Sequence, residues 1–572
     1  MPVAPGRSLP RLVRLRPWHA VLLMVLGLVL YLPGLAALAP MDRDEARYAQ
    51  ATRQMLESGD YIDIRFQDEA RYKKPVGIYW LQSISAGWLA GPEYDRIWAY
   101  RVPSLLAAIG ALLLTAWVGN RLFGATAGAL AALMLGCSLL LGVEARTAKT
   151  DAALLATVVA AQGVLARLYL DRLKPLPPPF WQVALFWLAQ GIGILIKGPF
   201  TPLVSGLTVL ALWAVDRRIR WARRLQPLVG VAIALVVVVP WLIAIGIASH
   251  GEFFSYAIGH ELLGKVGQGQ ESHGGLPGYY LATFWLAFWP FCLPAALAIP
   301  WVWRHRHDAE VRFCLAWIVP TWVMFELVVT KLPHYVLPVL PAVALLAARA
   351  TLERAEAPRD GRRGIGTIAV AALFVLLPTL AIAAAPVLAP WQAAHSLSVA
   401  GIAAAIFLLV AGLLIAAAEL LLLPRLLLAG AAAAIVGWAL VFAWALPGIE
   451  AAWLSPRIVA AARPLVSCSK PAIAAAGYTE PSLVFAAGTD TALGGGALVA
   501  SRMAENPECT VGVVTDGAEA EAFLAEAARQ NFVPVRATEL TGFNYSRGQR
   551  VTIGLYRPQS VPERPAAPEP AP

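Results

Sequence analysis

Long apolar runs, repeated along most of the chain, constrain this sequence more than any other feature. They recur at lengths of about 18–25 residues, the length a helix needs to cross roughly 30 Å of hydrocarbon. Composition follows the same reading. Of the 572 residues, 58% are hydrophobic and only 14% are charged, against about 25% charged in an ordinary soluble domain. The bilayer is therefore the main solvent for this chain.

The formal net charge is +10. Its arginines sit in short loops between apolar runs, which points to membrane topology and anionic lipid headgroups. No aromatic-plus-basic module for nucleic acid is present. Arg7, Arg11, Arg14 and Arg16 precede the first apolar run. That run is too long for a signal peptide and lacks a persuasive cleavage site, so it reads as an uncleaved first span.

The pattern predicts a polytopic α-helical membrane protein with about 13 spans. They begin at 19–39 and end at 424–446, and include 101–119, 124–144, 279–302, 312–329 and 334–351. Every second loop is rich in basic residues, for example Arg217, Arg218, Arg220, Arg223 and Arg224, then Arg354, Arg359, Arg362 and Arg363. By the positive-inside rule those loops and the N-terminus are cytoplasmic. An odd number of spans then leaves the C-terminal region outside, in the periplasm of a bacterial inner membrane.

The expected organisation is a transmembrane domain over 1–447, with a first outer loop at 40–100 and a second at 248–278. A small periplasmic α/β domain follows at 448–558. Strands are expected there at Ser482–Ala486, Thr510–Thr515 and Val551–Tyr556, and a helix at Ala518–Arg529. The Pro-rich tail 559–572 reads as disordered. Cys137, Cys292 and Cys314 fall in apolar runs as packing residues. Cys468 and Cys509 fall in the outer domain, where an oxidising compartment permits a disulfide.

Chemistry-bearing residues gather on the outer side. The first outer loop opens with Asp44, Glu45, Arg47 and Tyr48 on a helical pattern that Gly59 ends. Asp44, Arg47 and Tyr48 share one face at spacings of three and four. A carboxylate beside a guanidinium stays ionised, which suits a general base or an electrostatic clamp. It also suits a solvated surface helix with an internal ion pair. Lys73, Lys74 and Pro75 close the loop above Tyr79 and Trp80, well placed for a lipid phosphate or a headgroup rim. Three outer span ends carry further charges, at Glu144–Asp151, Lys197–Phe200 and Thr330–Tyr335. A single His260–Glu261 pair is a weak metal signal.

Asp44-Glu45-x-Arg47-Tyr48, Met55-Leu56-x-Ser58-Gly59-Asp60, Lys74-Pro75 with Tyr79-Trp80, Asp151, Lys197-Gly198, His260 and Lys331-Leu332-Pro333-x-Tyr335 resemble the lipid A aminoarabinose transferases. Those are relatives of the protein O-mannosyltransferases in the GT-C class. The resemblance covers roughly residues 15–350 and implies a GT-C fold. It implies Asp44 and Asp151 as catalytic acids, and Arg47, Lys74 and Lys197 as ligands of the carrier phosphate. Tyr48, Glu45, His260, Lys331 and Tyr335 would then line the substrate cavity. The transferases have Glu-Lys-Pro where this chain has Lys73-Lys74-Pro75. That Glu accompanies a divalent cation, which Lys73 would repel, so no metal ligand is assigned.

The expected function is inverting transfer of one sugar from a polyprenyl (undecaprenyl) phosphate carrier to a periplasmic acceptor, lipid A or another envelope glycolipid. A protein acceptor with the same donor is the alternative. The rival from another class is a transporter of a lipid-linked substrate. Transporters place ionisable groups near the bilayer midplane, often in two related halves; here the charges cluster at one surface and no repeat is visible.

Overall fold

The computed structural model describes residues 17–173, 177–257, 259, 275–356 and 365–559, with the backbone alone over 365–374. Among the described residues, eight helices are long and apolar enough to cross a membrane. Three more apolar helices are shorter: Pro17–Tyr31 (α1), Ala125–Cys137 and Phe200–Asp216.

The chain enters the outer loop after α1 and forms Asp44–Ser58 (α2). Two acidic residues, Asp44 and Glu45, occupy its first turn, where the partial positive charge of a helix start favours them. Gly59 ends it at φ +72°, and its N–H donates to the Met55 carbonyl. Only a residue without a Cβ adopts that left-handed backbone at little cost. Next come a short hairpin, Arg65–Phe66 with Glu69–Ala70, and the helix Gly77–Leu89 (α3).

Ile97–Leu122 (α4), Ala125–Cys137 (α5), Leu139–Glu144 (α6) and Asp151–Leu170 (α7) build the centre. A Cβ added to Gly119 of α4 would lie 2.5 Å from the Gly128 Cα of α5. Two small residues thus let these backbones approach closely, the usual device where hydrophobicity cannot drive association. Phe180–Lys197 (α8), Phe200–Asp216 (α9) and Pro227–Ala248 (α10) complete the first half of the bundle. Because α7 is enclosed by its neighbours, its first residue, Asp151, starts inside the protein.

Several expected continuous spans are broken. The 124–144 run breaks at Ser138, between α5 and α6. The 279–302 run divides into Tyr279–Ala287 and Cys292–Arg304 around Pro290. The 334–351 run begins as a 3-10 segment, Pro333–Val339, before Leu340–Glu356. Hydropathy is blind to a turn inside an apolar run, and the prolines supply the physical reason for the last two breaks.

After Ala445 the chain forms a five-stranded sheet in the order β4-β3-β5-β7-β6. Its strands are Ala472–Ala476 (β3), Ala492–Gly494 (β4), Thr510–Thr515 (β5), Pro534–Asn544 (β6) and Gln549–Pro558 (β7), the loop hairpin supplying β1 and β2. The first three are parallel; β7 runs antiparallel to both β5 and β6. The helix Ala518–Arg529 is present. Ser482–Ala486, expected as a strand, is instead helical within Pro481–Ala487. Proline favours the first helical position, and a short apolar run does not by itself separate helix from strand. Cys468 and Cys509 form a disulfide with Cα atoms 5.5 Å apart. The expected tail 559–572 lies outside the described residues beyond Gln559.

Candidate active site

Two cavities open where the loop 40–100 meets the ends of the helices. The larger, about 960 Å³, is apolar along most of its wall, with Trp241, Phe253, Met324 and Leu327 among its lining. Its polar end holds Asp44, Tyr48, Arg71, Lys73, Lys74, Lys149, Asp151, Lys197, His334 and Tyr335. The smaller, about 690 Å³, is polar and lies between α2 and the β-sheet unit. Asp44, Lys73 and Lys149 line both.

Asp44 is exposed, and what it faces is the junction of the two cavities. Partial enclosure alone would raise its pKa. Lys149, Arg71, His334 and Arg47 outweigh that effect and hold the carboxyl below its ordinary value. Tyr48, one turn further along α2, is buried with its ring 5.4 Å from that of Tyr79. The Arg71 guanidinium lies 5.1 Å from the Tyr48 ring centre. Tyr79 is thus a core residue.

Two ion pairs, one buried and one partly buried, stand at the polar end of the larger cavity. Lys197, the last residue of α8, donates to Asp151 at 2.5 Å. Lys149 donates to Glu144, the last residue of α6, at 3.0 Å. Burial works against the Lys149 charge, but Glu144 and Asp151 reverse the effect and keep it protonated. His334 stands between the pairs, Nδ1 3.9 Å from Glu144 and Nε2 3.8 Å from Asp151. Lys197 also lies 5.4 Å above the Tyr335 ring. Lys74 lines the cavity and donates to the Lys73 carbonyl.

Two expected cavity residues, Glu45 and Lys331, and one expected phosphate ligand, Arg47, are placed differently. Glu45 spends its carboxylate on structure: one oxygen accepts from Arg101 Nε and the Ala148 N–H, the other from Arg101 Nη2 and the Met41 N–H, all at 2.8–2.9 Å. Lys331 donates to the carbonyls of Phe325, Glu326 and Val328 at 2.6–2.9 Å. It satisfies orphan carbonyls at the end of the helix Ala309–Leu327, a common task for a lysine there. Arg47 lines the smaller cavity and not the larger. His260 lies outside the described residues.

The sequence reading assigns no site role to Arg71, Glu144, His334 or Arg101, and it notes Lys149 only as a charge at a span end. Four of these five stand in charged segments, Arg71 just before Lys73–Pro75 and the others within Glu144–Asp151 and Thr330–Tyr335. Arg101 falls at the start of the expected span 101–119, and no local signal marks it. Arg146, from the same segment as Lys149, faces the protein interior and donates to the carbonyls of Pro33 and Gly142.

The ligand atoms of Glu144, Asp151 and His334 lie within 4.8 Å of one another. Both carboxylates are already neutralised by lysines, so a divalent cation would meet two ammonium groups. Lys73 likewise offers no anionic ligand. These residues do not fit the metal that the resemblance implies.

The helical bundle, with its eight long apolar helices among the described residues, defines a multi-pass membrane protein. Its fold is that of ArnT from Cupriavidus metallidurans, whose crystal structure bound to undecaprenyl phosphate superposes with a TM-score of 0.69 at 21% identity, over 93% of this chain and 97% of that one. The sequence comparisons are more specific. A family model described as dolichyl-phosphate-mannose-protein mannosyltransferase matches residues 73–243. An undecaprenyl phosphate-alpha-4-amino-4-deoxy-L-arabinose arabinosyl transferase of Erwinia tasmaniensis is 29% identical over 383 residues, 66% of each chain. A protein of the same description from an Enterobacter species is 30% identical over 387 residues, 65% of each chain. The chain thus spans just under two thirds of these relatives' length, and is similar to glycosyltransferases of the GT-C class that use lipid-phosphate-linked donors.

Proposed function

We propose that this protein is an inverting glycosyltransferase. It moves a single sugar from a polyprenyl phosphate carrier to an acceptor on the periplasmic side, lipid A or another envelope glycolipid. The observation that carries the reading is the position of Asp44. An ionised carboxylate stands where a long apolar cavity and a polar one meet, under a group of fixed cations.

In this reading the carrier tail fills the apolar cavity and its phosphate reaches Arg71, Lys74 and Lys197. The acceptor oxygen enters from the polar side and attacks the anomeric carbon as the bond from that carbon to the phosphate oxygen breaks. The electron pair stays on the carrier phosphate. Preorganised cations stabilise the charge that develops there, with arginine suited to bidentate contact and lysine acting as a point charge. A hydroxyl acceptor gives its proton to Asp44. A phosphate oxyanion is already a nucleophile, and Asp44 then orients it. Asp151, tied to Lys197, holds that ammonium at the polar end of the cavity. A single displacement inverts the anomeric centre.

The basic loops support a cytoplasmic N-terminus, and with it a transmembrane domain over 1–447 and a periplasmic domain over 448–558. The Cys468–Cys509 disulfide supports an oxidising compartment for the latter. The mannosyltransferase family match favours, as a second reading, a protein hydroxyl as acceptor. Transport is disfavoured because the charges lie at the outer helix ends rather than the midplane.

The test is a reconstituted assay with undecaprenyl-phosphate sugar and lipid A. Transfer that persists in EDTA is expected. Absence of both transfer and donor hydrolysis across several sugars would contradict the reading.

A further inference from the structure

The polar cavity has two walls of different origin. One comes from the outer loop and helix ends, with Asp44, Arg47, Lys73 and Lys149; the other comes from the sheet unit, with Thr479, Glu480, Pro481 and Arg547. We propose that the C-terminal α/β unit selects the acceptor, with Arg547 engaging an oxyanion of the acceptor head group while Glu480 sets the position of Arg547. This rests on the reading above that the polar cavity receives the acceptor.

The first argument is registration. The unit is tied to the start of α2 and to its middle. At its start, the Asp42 N–H donates to the Tyr545 hydroxyl at 2.7 Å, Ser482 N–H donates to Asp42 at 3.1 Å, and Arg43 donates to the Ser546 carbonyl at 2.7 Å. Further along, Gln50 donates to Thr489 at 2.8 Å and Arg53 to the Phe485 carbonyl at 2.9 Å. The unit therefore cannot shift without moving the helix that carries Asp44. Contacts that served only to hold α2 would not require the unit to wall a cavity.

The second argument is preorganisation. Asn544 accepts from the N–H groups of Ser546 and Arg547 at 3.0 and 3.3 Å, which fixes the turn. Its side-chain amide donates to Glu480 at 3.0 Å. Arg547 Nε lies 3.7 Å from the same carboxylate. The Arg547 side chain is about half exposed (49%) and lines the polar cavity, which places it within reach of a ligand there.

The third argument is charge. Glu45 is spent on Arg101, and Lys149 on Glu144. The remaining charged residues on the walls are the cations Arg43, Arg47, Lys73 and Arg547 against the carboxylates Asp42, Asp44 and Glu480. A cation excess with forked guanidinium donors suits an oxyanion.

The experiment uses the full chain in lipid nanodiscs and three probes: phosphorylated lipid A, dephosphorylated lipid A and undecaprenyl phosphate. Arg547→Ala is expected to weaken binding of phosphorylated lipid A about tenfold, roughly 1.4 kcal/mol. It should leave the other two probes within about twofold of wild type, and Arg547→Lys should recover part of the loss. Unchanged lipid A binding in Arg547→Ala would overturn the proposal. So would equal weakening of all three probes, which marks a unit that only props up α2, and so would wild-type protein that binds no lipid A. Failure of wild type to bind undecaprenyl phosphate would strike the transferase reading alone, with the lipid A arm still deciding this one.

Discussion

Asp42 and Asp44 are two residues apart, yet their surroundings push them in opposite directions. Cations hold Asp44 ionised. Asp42, half-buried beside Ser482 and Glu480, is pushed up from 3.8 to about 6, chiefly by burial. The folded protein therefore binds that proton more tightly than the unfolded chain does. Its stabilising contribution is complete below pH 3.8 and lost as pH rises through about 6. Asp42→Asn keeps the acceptor for the Ser482 N–H without the buried charge. It should raise Tm at pH 7 and flatten the slope of Tm between pH 4 and 6; parallel Tm curves for variant and wild type would contradict this. The Lys197–Asp151 pair makes a second prediction. Lys197→Met strands a buried carboxylate and should cost about 3–5 kcal/mol. Adding Asp151→Asn should recover most of that stability, read by thermal denaturation in detergent, without restoring transfer. The family resemblance, supported by charges that cluster at span ends, nominates Asp44, Asp151, Lys197 and Tyr335 from the sequence, and the structure gathers these four around one cavity. Glu144 and His334 join them through contacts between distant span ends, which no local pattern encodes.

At the scale of elements, the site depends on how α2 sits on the bundle. Arg101, fully buried on α4, donates twice to Glu45 and also to the carbonyls of Leu35, Leu38 and Ala39. Glu45 in turn accepts from the Ala148 N–H, beside Lys149. One arginine thus joins the end of the first span, the start of α2 and the loop that carries Lys149. Arg101→Lys keeps the charge but loses the fork. A misplacement of about 1 Å can cost roughly 10²-fold, so kcat should fall by about 10–100-fold with both KM values near wild type. A rise in KM at unchanged kcat would contradict a positioning role. The sequence pattern anticipated α2 and its Gly59 stop because caps are local signals. It did not anticipate the break at Ser138 or the helix at Pro481–Ala487, because hydropathy measures burial, and burial does not distinguish a turn from a helix or a short helix from a strand.

At the scale of the molecule, membrane character was legible throughout, since it follows from run length alone. The sheet unit was legible as α/β composition but not as a partner of α2. Its strand β3 is alanine-rich and carries little strand propensity, and its contacts with the outer loop join residues more than 400 positions apart. The proposed function joins these scales: one ionised carboxylate, held between two cavities, is proposed to direct transfer of a sugar outside the membrane. It is tested most directly by mass spectrometry of the host envelope, comparing wild type with Asp44→Ala in lipid A and glycoprotein fractions. The account predicts loss of a single sugar mass from lipid A, with the variant inserted normally. Unchanged masses in both fractions, with the protein in place, would contradict it.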